Sequence, residues 1–498
     1  MQISGAQQGK GFRNTIVVLV ALAVLVGWGV WFKFFRELPQ DLRDDSMEEY
    51  FKYGSIGTEN QYGIPFWIWL VLPKMFPEYL PGPGGWASLG FAWEQGRESP
   101  VGFSKKTIGF ERVGINCALC HTAVVRKSPP SLPLIYAGGP THTANPLAYQ
   151  RFLFNCASDP RFTAGNILSE IGQVYRLSLV DRLLYRFFLI PATRKALLKQ
   201  KAQYAWTDSR PPWGRGRVDP FNPVKVQVLN VGVGDTIGNS DMVPIWNLRP
   251  RVADKMAFHW DGLNTDITEV FLSSAIGDGT TPKVLPIEQL KRLEEWLMDV
   301  QPPKFEDLFP VDHQLAAAGE PLYREHCAEC HTFGGEKTGN VLPLTNEDWR
   351  VGESIAVGGG PLYTDAHRVE MWTQEAADAY NAYTDGYDWD FSKFRAPNGY
   401  VNVPLDGLWI RAPYLHNGSV PYLGELLEAP EKRTKVFYRG YDVYDPERMG
   451  FLSEGAEVQS VGTRFDTADP GNSNQGHLWG ITLAPDEKRA LLEYMKTL

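Results

Sequence analysis

The longest apolar run in the chain, at 16–32 (IVVLVALAVLVGWGVWF), contains no charged position. With its flanks it reaches the length that spans hydrocarbon, and Trp28 and Trp31 sit at one end, where amphipathic rings favour the interface. A secretory signal would end in small residues at a cleavage site, but this run ends Trp-Phe-Lys-Phe-Phe-Arg. The pattern predicts an uncleaved transmembrane anchor over 14–35 behind a cytoplasmic tail at 1–13, which carries Lys10 and Arg13 and no acid.

Beyond the anchor, apolar positions recur at helical spacing. Helices are expected at about 146–155, at 286–300 (PIEQLKRLEEWLMDV), at 316–327 and at 485–498 (PDEKRALLEYMKTL). Residues 66–72 are apolar throughout but too few to span, and core is their usual fate. The stretch 176–198 (RLSLVDRLLYRFFLIPATRKALL) has helical periodicity interrupted by Pro191. Leu183, Leu184, Phe187 and Phe188 alternate there with Arg182 and Arg186. Such a basic amphipathic segment can lie in a membrane interface, line a path for a greasy substrate, or pack on the domain, and packing is the commonest outcome. Pro302-Pro303 breaks the chain after 300, so a first domain at 36–300 and a second at 301–498 are expected.

Composition adds two exclusions. A net charge of −9 with no basic stripe argues against nucleic acid, while it suits docking to a basic redox protein. Five cysteines in 498 residues rule out a disulfide-stapled design. Aromatics reach 13%, with 16 Trp, and Pro and Gly are abundant, which suits a loop-rich fold wrapped round something large and flat.

Four of the five cysteines fall in two copies of one pattern: Cys117-Ala118-Leu119-Cys120-His121 and Cys327-Ala328-Glu329-Cys330-His331. Two cysteines two residues apart and followed by histidine form the attachment pattern of a c-type haem. Each thiol adds to one vinyl group, and the histidine then sits under the iron as proximal ligand. The expected cofactors are two covalent haems c, with iron held by His121 and His331. A zinc site is the rival, but it would join ligands some two hundred residues apart and leave the histidines unexplained. A thioredoxin-like motif would occur once. Cys156 has no partner and reads as a small buried residue. Helix, motif, long loops and closing helix recur in order, as in a duplication. The expected fold is mainly α and loop-rich: two cytochrome c-like domains, each with one covalent haem c, plus one N-terminal transmembrane helix. Haem c is attached outside the bacterial inner membrane, so the body is expected in the periplasm.

With PIWN at 244–247, HWDG at 259–262, GLWIRAPYLHNGSVPYL at 407–423 and GNSNQGHLWG at 471–480, the chain resembles the bacterial di-haem cytochrome c peroxidase superfamily. It is most similar to the rubber-oxygenase-like branch, which includes dihaem fatty-acid dioxygenases. The resemblance covers roughly 100–498. It implies that Trp260 lies between the haems and assists electron transfer, and that Trp246 is the aromatic over the first haem. The peroxidases carry an acid about twenty positions after the HWDG tryptophan, whereas this chain has Thr280 near that place, which speaks against peroxidase activity. The family's inter-haem calcium site uses an Asn and a Thr. Asn247 matches, but Arg411 replaces the Thr and can supply the positive charge itself, so calcium is not expected.

A haem that only passes electrons is held on both faces, whereas one that binds oxygen keeps a face free. For the second haem the candidates for the sixth ligand are His367, His416, His477, Met371 and Met449, with His477 leading through its motif and His416 also readable as structural. For the first, only His142 and Met242 fall between His121 and Trp246, and His142 reads as solvent-facing in its Gly-Pro loop. His259 reads as a propionate partner or a packing residue. The expected function is haem-based electron transfer, with oxygen, peroxide or a lipid-like organic substrate reacting at the first haem. The alternative is a pure carrier or a subunit of a respiratory or photosynthetic complex.

Overall fold

The computed structural model describes residues 5–344 and 364–498, and for 5–13 the backbone alone. Helix α1 (Gly5–Phe34) includes the apolar stretch at 14–34, which lies outside the folded body until its last turn, where Phe34 packs against the core. It starts well before the expected anchor and takes in most of the expected tail, because extending an existing helix costs far less than nucleating one. Residues 1–4 of that tail lie outside the described residues.

Helix α2 (Phe66–Met75) buries Phe66, Ile68, Trp69, Val71 and Leu72. Trp69 stacks on Trp86 with ring centroids 4.7 Å apart, and its indole N–H donates to the Tyr149 hydroxyl at 3.1 Å. Residues 66–72 are therefore core. Tyr149 comes from α3 (Pro146–Ser158), whose N-terminus is capped by the Asn145 side chain and whose interior holds the fully buried Cys156.

Three strands, β1 (Ile64–Pro65), β2 (Phe103–Ile108) and β3 (Phe110–Ile115), form an antiparallel sheet in the order β1-β3-β2. Gly109, at φ 73°, makes the tight β2–β3 turn. Strand β3 runs straight into Asn116 and Cys117. A second hairpin, β4 (Thr122–Val125) and β5 (Leu134–Ala137), leaves from the other end of the motif. The first motif is thus entered from a strand, not from the helix that the duplication reading implies; Val113 and Ile115 alternate with Arg112 and Gly114, and a period of two selects a strand.

Helices α4 (Ala164–Val174) and α5 (Leu179–Leu184) lead through a π-turn at Tyr185–Leu189 into α6 (Ile190–Gln203). Pro191 sits in the first turn of α6, and the wider turn ahead of it absorbs the hydrogen bond that its ring cannot make. The chain continues through α7 (Ile267–Gly277) and α8 (Ile287–Asp299) to α9 (His313–His326), which crosses the closing helix α10 (Pro485–Met495). Gly319 makes that crossing: a Cβ there would lie 2.0 Å from the Ala490 carbonyl oxygen. The segments 36–300 and 301–498 meet in shared apolar cores, one joining Trp246 and Val125 to Trp409 and another joining Phe271 to Trp372 and Tyr380.

Candidate functional site

Asn116 shapes the first motif. Its side-chain oxygen accepts the Ala118 N–H at 3.0 Å and its amide donates to the Gly54 carbonyl at 2.8 Å, which fixes the single turn at Cys117–Leu119. Cys117, Cys120 and His121 face a cavity of about 370 Å³. His121 Nδ1 donates to the Val243 carbonyl at 2.8 Å, leaving Nε2 with the free lone pair. Burial pushes the His121 pKa down to about 4, so the ring is neutral, as a metal ligand must be.

The second motif follows α9 directly. His331 Nδ1 donates to the Val403 carbonyl at 2.7 Å, the same arrangement as at His121. The His477 ring faces it with centroids 6.2 Å apart and planes 34° from parallel. Two imidazoles bound on opposite faces of one metal at about 2 Å hold their centroids about 6 Å apart. Arg433 sets this placement. Its buried guanidinium donates to the carbonyls of Asn474 at 2.5 Å, Gly476 at 2.6 Å and His477 at 2.9 Å, tying the loop down in the conformation that gives His477 its φ of 58°. No sequence signal singles out Arg433, because its partners are backbone groups that any residues would supply.

Trp260 joins the two motifs. Its indole N–H donates to the Asp241 carbonyl at 2.7 Å, two residues before the carbonyl that holds His121. Its own carbonyl accepts the Val401 N–H at 2.8 Å, two residues before the one that holds His331. Val401 belongs to the antiparallel pair of β6 (Val341–Pro343) and β7 (Gly399–Val401).

Other expectations need correction. Trp246 is fully buried but does not line the cavity; it packs against Gly138, Gly139 and Gly407 in the core shared by the two halves. Its indole is large and apolar enough that a dry inter-element seam takes it in preference to a cavity wall. His142 is not solvent-facing: it stacks on Phe451 at 3.4 Å and bonds the Tyr441 carbonyl at 3.1 Å. Among the other sixth-ligand candidates, His416 stacks on Tyr400, His367 bonds Asp365, and Met371 and Met449 are packed in apolar cores. Met242 lines the cavity.

Asn247 and Arg411 both bond Asp406, Asn247 at 3.1 Å and Arg411 at 2.7 Å, and Arg251 adds a third contact at 2.7 Å. Arg251 and Arg411 also line the cavity, as does Arg368.

Two further residues face the cavity: His259, read from the sequence as a propionate partner or a packing residue, and Asp278, which the sequence did not single out. His259 lines the same cavity as His121, its Nε2 is buried without a hydrogen-bond partner among the described residues, and burial, with the Arg368 guanidinium, pushes its pKa down to about 3. Asp278 lies two residues before Thr280 and faces the cavity beside the Cys117 and Cys120 thiols. Desolvation alone raises its carboxyl to about 7. The folded chain therefore keeps a proton that the unfolded chain, with a carboxyl near 3.8, releases. Stability is lost as pH rises between those two values and stays lost above the upper one. Asp278→Asn is expected to raise the unfolding free energy at pH 8 by on the order of 1–3 kcal/mol and to change it little at pH 4, which denaturant titrations at both pH values would measure.

These features bear on what the motifs hold. Burial pushes the Cys117 and Cys327 thiols up to about 12, opposite to the shift of a redox-active CxxC thiol. Among the described residues no three His, Cys, Asp or Glu side chains gather as a zinc site requires. A mainly apolar cavity flanked by paired thiols, a neutral imidazole with a free Nε2, and guanidiniums that can meet propionates fit a covalent haem.

Comparison with known families agrees. A family model described as "RoxA-like, cytochrome c-like" matches residues 399–438, which include the β7 strand and the APYLHNGS motif. The protein y4iJ of Sinorhizobium fredii (strain NBRC 101917 / NGR234), described as uncharacterized, is 46% identical over 78% of this chain and 77% of its own length. Protein y4iM of the same strain, described in the same way, is 26% identical over 52% of this chain, which spans 64% of that protein. A cytochrome c-like segment implies covalent haem c and a haem-based redox function. The chain belongs to the family of y4iJ and carries within it the RoxA-like, cytochrome c-like signature.

Proposed function

We propose that the chain is a membrane-anchored, periplasmic di-haem c-type cytochrome that passes electrons between its two haems, and an oxidoreductase acting on oxygen, peroxide or an organic substrate at the first. The observation that carries this reading is the inequality of the two proximal histidines. His331 has the His477 ring opposite it at 6.2 Å, whereas His121 opens on a cavity of about 370 Å³ with mainly apolar walls. Haem supplies one-electron exchange and, where one face is free, a place for oxygen or peroxide. The residues of the chain do the rest. Val243 and Val403 orient the proximal rings through Nδ1, Arg433 holds His477 in place, and Trp260 ties together the segments that carry both anchoring carbonyls. Asp278, protonated up to about pH 7, can donate a proton into the cavity.

Carbon monoxide titration of the reduced protein tests this reading, with about one molecule bound per chain as the expected result. A second reading rests on His259, whose unpartnered Nε2 shares the first cavity. If that imidazole closes the first iron, the protein is a pure electron carrier and binds no carbon monoxide.

A further inference from the structure

Segment α5 and the π-turn after it are apolar on two sides. Leu184, Tyr185, Leu189 and Ile190 face inward and are buried. Leu179, Val180, Leu183, Phe187 and Phe188 face outward, with Leu179 82% exposed and both phenylalanines 61% exposed. A helix on a water-facing surface needs one apolar face, and a second one implies a second apolar phase. Among the described residues, more than half of the exposed large apolar side chains beyond residue 35 fall between Val174 and Leu198.

The position of this patch identifies that phase. Helix α1 ends beside it: the Phe34 ring meets Phe188 edge-on at 6.5 Å, and Lys33 Nζ pairs with Asp181 at 2.5 Å. The 21 residues from Asn14 to Phe34 cover about 30 Å at 1.5 Å per residue, one hydrocarbon thickness. Where α1 leaves the hydrocarbon, the outward face of α5 is therefore level with the headgroups. Arg176, Arg182 and Arg186 flank that face, all exposed and without an ion pair among the described residues, although the chain as a whole carries −9. Unpaired cations beside exposed Leu and Phe match the chemistry of an anionic lipid surface.

We infer that residues 176–188 form a second membrane contact, an arm lying in the interface of a bilayer containing anionic phospholipid, which holds the body in a fixed orientation on its anchor. This rests on the anchor reading of α1, and the test separates the two. Spin labels are placed by Leu183→Cys, Phe187→Cys, Val24→Cys and Leu132→Cys in the full-length, haem-loaded protein; Cys156 is fully buried and escapes labelling. Each variant goes into nanodiscs of phosphatidylcholine and phosphatidylglycerol. Accessibility to oxygen, which partitions into lipid, is compared with accessibility to a water-soluble nickel chelate. Oxygen access above nickel access is expected at 183, 187 and 24, with the reverse at 132. Nickel access at 183 and 187 equal to that at 132, with 24 still in lipid, overturns the arm and leaves the anchor. Nickel access at 24 overturns the anchor, and the arm then stands or falls on 183 and 187 alone. Labels at 183 and 187 shielded from both reagents mark a second protein copy on this face and overturn the lipid assignment.

Discussion

Replacing His477 by alanine is expected to raise carbon monoxide uptake by the reduced protein from about one to about two molecules per chain, because the variant lacks the ligand proposed to close the second iron. The wild-type oxidised protein should show one low-spin signal from a pair of imidazoles in its electron paramagnetic resonance spectrum, and the variant should lose it. The His331 and His477 rings lie 6.2 Å apart, and Arg433 holds the His477 loop through the carbonyls of Asn474, Gly476 and His477. Because those contacts are made to backbone, the loop keeps its shape without the imidazole, so the effect should be confined to the iron. An unchanged low-spin signal in the variant would remove His477 from the proposed ligand set.

The second large effect concerns attachment. Cys117→Ser combined with Cys120→Ser is expected to cut covalent haem from about two to about one per chain, read by pyridine haemochrome absorbance against protein concentration. A cavity of about 370 Å³ left unfilled would cost on the order of 9 kcal/mol at about 24 cal/mol per Å³. That is comparable to the whole stability of a domain, so the variant should accumulate poorly and be digested quickly by protease. The matching pair Cys327→Ser and Cys330→Ser should also halve the haem content. Haem content unchanged in either double variant would show that the motif does not carry a covalent haem.

The chemistry of the cofactor is legible in the sequence because it depends on local spacing. The attachment pattern proposed at Cys117 to His121 and at Cys327 to His331 occupies five consecutive residues, so it can be read without any tertiary contact. The same holds for α1, α8 and α10, where a charge-free run or a 3.6-residue apolar period decides the element. Local patterns fail where two outcomes share one periodicity. The spacing at 176–188 fits a helix packed on the domain, and only the fold exposes its outer face; the Gly-Pro loop around His142 looks like surface, yet the fold stacks it on Phe451.

What a residue faces is set by chain segments far from it in sequence. His477 meets His331 across 146 positions because Arg433 ties down the loop between them, and the signal for that lies in backbone carbonyls rather than in residue types. Trp246 and Trp260 are both tryptophans in short motifs, but one is drawn into an apolar seam between halves and the other bridges Asp241 and Val401. Asp278 and His259 enter the cavity through the fold alone. The sequence by itself determined the two CxxCH motifs and the apolar N-terminal helix on which the proposed covalent attachment and membrane insertion rest, since both depend on contiguous residues. The tertiary structure decided which histidine is opposed, which acid faces the first motif and which apolar face stays open, since those depend on contacts that no contiguous stretch encodes.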